Sequence, residues 1–91
     1  MSPALKTSVP SSRLPEWMVV NGHHLHRLFK FPDFVTALDF VNRAGAVAEE
    51  QGHHPDLLLG WGKVEVTIWT HDSDGLTESD FELAAKIGRL A

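Results

Sequence analysis

His53-His54-Pro55, with His71, Asp72 and Asp80 following, is where residue types and spacing concentrate chemistry in this chain. Imidazole is the side chain whose unperturbed pKa lies nearest neutrality, so two of them in one place can supply an acid and a base without extreme tuning. The chain has no cysteine, which removes thiol nucleophiles, thiolate metal ligands and disulfides together. Catalysis therefore falls to His, Asp, Glu, Lys, Ser or Thr, and six histidines make imidazole the group to follow. No serine sits on a recognisable strand-to-helix elbow, so a serine triad has no support.

Pro55 biases His54 toward extended backbone, which fixes how the pair leaves the element before it. On spacing alone, an adjacent His pair beside a turn is more often solvated surface than catalysis. His71-Asp72 reads equally well as turn chemistry. Asp80 suits the first turn of a helix, where a carboxylate meets free N–H groups and the positive end of the dipole. Glu49 reads as a solvated charge, and Trp61 and Trp69 as packing. His24 and His26 share one strand face and could chelate a metal. Zinc sites usually want three or four ligands, however, and no cysteine or matched second pair appears, so His23, His24 and His26 are read as surface groups and no metal is expected.

The elements that must position these groups follow from periodicity. Trp17 to Val20 and Leu25 to Phe31 read as a β-hairpin turning at Asn21-Gly22, a pair that favours positive φ at both turn positions. From about Pro32 to Gln51, Phe34, Leu38, Val41 and Ala48 recur at helical spacing, and Gly52 is placed to cap the helix. Leu57 to Trp61 and Val64 to Trp69 make a second hairpin around Gly62-Lys63, with Val64, Val66 and Ile68 on one face and Glu65, Thr67 and Trp69 on the other. Thr77-Glu78-Ser79-Asp80 opens a closing helix with a capping-box variant, and Phe81, Ala84, Ala85 and Ile87 or Gly88 give its inner face. The order ββαββα predicts an α+β fold in two layers: a four-stranded antiparallel sheet with two helices on one face. If the second hairpin folds back beneath the first helix, His71 meets His53 and His54 in one cleft.

Ninety-one residues suffice for one domain, expected over residues 16–91 behind a flexible tail at residues 1–15. That tail holds three prolines and four serines and has no signal-peptide core or membrane span, which points to a cytoplasmic protein without a membrane partner. Eight Lys+Arg stand against twelve Asp+Glu, with a net charge of −4 and no basic cluster, so nucleic acid is not expected as a ligand. A chain this short buries only about 60–65% of its unfolded surface, which favours a subunit partner.

Glu49-x-x-x-His53-His54-Pro55, followed by Trp61, His71 and Asp80, resembles the pterin-4a-carbinolamine dehydratase family. The likeness runs from about Trp17 to Leu90 and includes Phe29, Phe31 and Phe34, Thr70-His71-Asp72 and Gly75-Leu76-Thr77. The resemblance implies an enzyme that dehydrates 4a-hydroxytetrahydropterin to quinonoid dihydropterin, recycling the pterin of aromatic amino acid hydroxylases, with neither metal nor organic cofactor. It implies His53 and His71 as the acid–base pair, with the direction open, and His54 as the group that orients the pterin. Glu49, Asp72 and Asp80 become supporting residues, and Pro55 and Trp61 shape the cleft. It also implies a homodimer or tetramer. Some animal members double as dimerisation cofactors of a transcription factor, and some bacterial relatives that lost the histidine pair act as assembly factors, so a non-catalytic binding module is the alternative. Retention of His53, His54 and His71 favours the enzyme.

Overall fold

The computed structural model describes residues 7–91. In chain order the elements are β1 (Ser8–Pro10), β2 (Met18–Val20), β3 (His24–Lys30), α1 (Phe34–Gln51), β4 (Asp56–Gly60), β5 (Lys63–Ile68) and α2 (Glu78–Gly88), with a 3₁₀ turn at His71–Ser73 before α2. The strands form one antiparallel sheet in the order β1-β2-β3-β5-β4. Directly paired residues share a face, and the register sets Leu25 opposite Ile68, Phe29 opposite Val64, and Leu57 opposite Val66. That face joins Ala37, Phe40, Ala44 and Ala48 of α1 and Leu83, Ala84 and Ile87 of α2 in one buried cluster, so both helices cover the same side.

Among the described residues the sheet has five strands, not the four read from the sequence. The extra strand comes from the segment expected to be a flexible tail, where all three β1 residues are exposed and no apolar alternation marks it. Backbone pairing makes it: Ser8, Val9 and Pro10 lie opposite Val20, Val19 and Met18, and Asn21 Oδ1 accepts from the Thr7 N–H at 2.8 Å. Pro10 is tolerated because β1 is an edge strand, where a missing N–H leaves no ladder bond broken. Residues 1–6 of the expected tail lie outside the described residues.

Asn21 and Gly22 both take positive φ, at 54° and 63°, and the His23 N–H donates to Val20 O at 2.9 Å, so the first hairpin turns where expected. The second turns one residue earlier than expected, at Trp61-Gly62, with Gly60 opposite Lys63. There the Phe31 N–H donates to Gly62 O at 2.8 Å, and a Cβ on residue 62 would stand 2.8 Å from Phe31 O. Only glycine permits that approach.

The helix faces are rotated from the sequence reading. Ala37, Phe40, Ala44 and Ala48 point inward on α1, while Phe34 and Leu38 are 44% and 37% exposed. Three alanines let the helix lie close to the sheet, and Phe40 fills the space between Phe29 and Phe31, with ring centroids at 4.6 and 5.1 Å. On α2 the buried set is Asp80, Leu83, Ala84 and Ile87; Phe81 is only partly buried, beneath the Arg13 guanidinium at 4.5 Å. Asp33 caps α1 by accepting from the Thr36 hydroxyl and N–H, which hold its carboxyl below the usual range.

Candidate active site

The direction of His53 is set by the last turn of α1. Gly52 adopts the left-handed conformation, φ 68° and ψ 26°, with its N–H donating to Glu49 O at 3.2 Å, and the His53 N–H donates to Ala48 O at 3.1 Å. This is the Schellman arrangement, in which a glycine reverses the chain and satisfies the last helical carbonyls. A Cβ at residue 52 would meet nothing within 4 Å, so Gly52→Ala carries only the conformational cost of a left-handed L-residue. Urea denaturation is expected to show a loss of about 1 kcal/mol with the fold retained.

The reversed chain carries the His53 ring to the first turn of α2. Its Nε2–H donates to Asp80 Oδ1 at 2.5 Å. Asp80 is fully buried, and its Oδ2 accepts from the Thr77 N–H at 2.7 Å and the Thr70 hydroxyl at 2.8 Å. With both oxygens engaged as acceptors, the carboxylate holds His53 in the tautomer that carries its proton on Nε2. One carboxylate therefore caps α2, ties in the residue before His71 and orients His53. Gln51 Nε2–H donating to Ser79 O at 3.0 Å fastens the end of α1 to the start of α2 beside it.

His54 extends the other way, its Nε2–H donating to Glu49 Oε2 at 2.7 Å, with both side chains largely exposed. Exposed pairs of this kind add little stability. Pro55 follows as the link into β4. Asp56 at the start of β4 lies opposite Thr67 near the end of β5, which brings the exit of α1 alongside the Trp69–Asp72 segment. Thr70 closes the turn beyond, with its N–H donating to Gly75 O at 2.7 Å. His71, at the start of that turn, lies against Trp69 with ring centroids 4.4 Å apart and planes 32° from parallel.

Gly52, His53, His54, Trp69, Thr70, His71 and Asp72 thus surround one open cleft of about 270 Å³. All three histidines singled out in the sequence border it, as does Asp72; Asp80 lies behind His53, and Glu49 beside His54. Trp61 does not belong to it. It occupies the β4–β5 turn, 72% exposed, where it lines a separate surface groove with Lys30, Gly62 and Lys63. The length of β5 sets it roughly 20 Å from His71, so Trp61 cannot shape the cleft of its own subunit.

Two cleft residues escape the sequence reading. Trp69 reads there as packing, although its parity on β5 and its place just before His71 could have marked it as a wall. Thr70 binds Asp80 through its hydroxyl, and no periodicity foretells that bond. The arrangement offers one imidazole anchored on a buried carboxylate, a second on an exposed turn, and an indole wall for a planar ligand. Acid–base chemistry on a small heteroaromatic molecule is what such a set can perform.

The family model for pterin 4 alpha carbinolamine dehydratase matches residues 3–90. A relative from Rubrobacter xylanophilus, provisionally assigned as a pterin-4-alpha-carbinolamine dehydratase, is 62% identical over 78 residues, covering 86% of this chain and 73% of that protein. A crystal structure from Brucella melitensis, described as a transcriptional coactivator/pterin dehydratase, superposes with a TM-score of 0.81 at 39% identity, covering 87% of this chain and 85% of the other. A second structure, described as a pterin dehydratase-like protein that is a RuBisCO assembly factor in the alpha-carboxysome, gives a TM-score of 0.65 at 26% identity, over 75% of this chain and 79% of the other.

Proposed function

Since the chain belongs to the pterin 4 alpha carbinolamine dehydratase family, we propose that it dehydrates 4a-hydroxytetrahydropterin to quinonoid dihydropterin and water in the His53–His54–His71 cleft. The convergence of those three imidazoles on one cleft is the observation that carries this reading. It also sets the reading apart from a non-catalytic binding role, which requires no acid–base pair.

The reaction breaks the C4a–O bond, forms the C4a=N5 double bond, delivers one proton to the departing hydroxyl and removes one from N5. No electrons are gained or lost overall, so the chemistry calls for proton transfer and positioning rather than a redox group. His53 and His71 supply the two transfers. Asp80 fixes the His53 ring and its tautomer, as a buried carboxylate does for a catalytic imidazole. Trp69 offers the pterin ring a stacking surface, and the exposed His54–Glu49 pair orients its polar edge.

His54→Ala is therefore expected to raise KM several-fold with a smaller change in kcat, read from initial rates over a range of pterin concentrations. The enzyme would serve cytoplasmic recycling of the pterin spent by aromatic amino acid hydroxylases. Among the described residues no helix is long and apolar enough to cross a membrane. A homodimer or tetramer fits the surface: Phe34, Val35 and Leu38 are exposed on α1, and Leu28 and Leu58 on the helix-free sheet face. Stopped-flow decay of 4a-hydroxytetrahydropterin tests the activity. Acceleration in proportion to protein concentration is expected, and decay at the uncatalysed rate would refute it.

A further inference from the structure

We infer that His23, on the β2–β3 turn, is a positioning residue for His71, acting through Asp74 and Trp69; this rests on the dehydratase reading above. His71 opens a short exposed turn, and the far end of that turn is Asp74, held in the left-handed conformation at φ 49° with its N–H donating to His71 O at 3.2 Å. A side chain from a distant part of the chain grips that end. His23 Nε2–H donates to Asp74 Oδ1 at 3.0 Å across 51 residues of sequence.

The same ring leans on the indole that carries His71. His23 and Trp69 have ring centroids 5.7 Å apart, and Trp69 and His71 4.4 Å apart. His23 is itself steadied by its neighbour, with the Nδ1 atoms of His23 and His24 at 3.2 Å. With His23 as neutral imidazole, His24 Nδ1–H donates to His23 Nδ1, which leaves His23 Nε2–H for Asp74. His23 therefore fixes the catalytic turn at both ends, through the Asp74 carboxylate at one and the indole beneath His71 at the other. Neither Asp74 nor His23 borders the cleft, so their influence on the reaction runs through His71 and the Trp69 ring it rests on.

Displacing a catalytic group by about 1 Å can cost up to about 10²-fold, and loosening one tether should cost less. His23→Ala is expected to lower kcat about three- to tenfold with a smaller rise in KM, because the proton-transfer geometry degrades while the Trp69 wall loses only one flanking ring. His23→Gln, whose amide nitrogen can still donate to Asp74, is expected to restore most of the rate. Asp74→Ala lies on an exposed turn and leaves the core untouched; it should lose at least as much as His23→Ala, since alanine also resists the left-handed conformation there, and the double variant should be no worse than Asp74→Ala alone. The His71 ring resonances report position independently of turnover, since the Trp69 ring current shifts them, and they should move in both single variants. Unchanged kcat in His23→Ala and Asp74→Ala, or fully additive losses in the double variant, would overturn the proposal. If the wild-type chain does not dehydrate the pterin, the functional reading falls. His71 resonances that move in His23→Ala would then still support the tether, and resonances that do not would refute it.

Discussion

Alanine at His71 or at His53 is expected to lower the rate of 4a-hydroxytetrahydropterin dehydration by at least about tenfold, against the roughly 10²–10⁴-fold that a positioned proton-transfer group typically contributes. The lower bound reflects the second imidazole, which remains in the same cleft and can substitute in part. His71 lies on an exposed turn, so its removal should leave unfolding by urea almost unchanged while kcat falls. His53→Ala has a second consequence, because it strips a buried carboxylate of a donor at 2.5 Å. A modest stability loss should accompany its loss of rate. Wild-type rates in both variants would show that the imidazoles bind or support but do not transfer protons.

Asp80→Ala should produce the largest combined effect of any single substitution. The change removes the Asp80 half of the capping box of α2, abandons the Thr77 N–H and Thr70 hydroxyl, and frees the His53 ring. Loss of a cap costs about 1 kcal/mol and buried donors left unpaired about 1–3 kcal/mol, so a loss of about 2–4 kcal/mol in urea denaturation is expected. Small domains have about 5–15 kcal/mol in all, which leaves the variant weakened but folded at low temperature. Asp80→Asn separates the two roles. It keeps the shape and an acceptor for the helix cap, yet it turns an amide toward the His53 ring in place of the carboxylate that orients it. Its rate should fall at least about tenfold, with the loss in kcat rather than KM. Wild-type kcat in Asp80→Asn would reduce Asp80 to a helix cap.

The elements carrying the site were legible because each rests on a local rule. Positive φ at Asn21-Gly22, the αL glycine at Gly52 and the Thr77–Asp80 capping box are encoded within a few residues, and each stands in the structure where those rules place it. β5 was legible for the same reason, since its alternation is strict. What escaped depends on partners far along the chain. β1 exists only because Val20 and its neighbours accept it as an edge, and nothing in Ser8-Val9-Pro10 alone specifies a strand. The inward face of α1 is set by how closely alanines admit the sheet, so counting large apolar side chains put Phe34 and Leu38 inside when they lie at the surface. At the site, the sequence singles out the histidines but is silent on which carboxylate meets which ring. Asp80 reads as a first-turn cap, and it is one; that the same carboxylate also holds His53 follows only from the packing of α1 against α2. Trp61, which the resemblance assigns to the cleft, stands in the β4–β5 turn, because β4 carries the chain from His54 to the other end of the sheet.

The most direct test of the central claim, that the cleft's paired imidazoles carry the dehydration, is stopped-flow turnover of 4a-hydroxytetrahydropterin by the wild-type chain beside the His53→Ala/His71→Ala double variant, with 7,8-dihydropterin binding measured on both. Wild-type protein should accelerate decay of the substrate in proportion to its concentration. The double variant should fall to the uncatalysed rate while still binding the dihydropterin, since Trp69 and His54 remain. A double variant that keeps the wild-type acceleration would contradict the account.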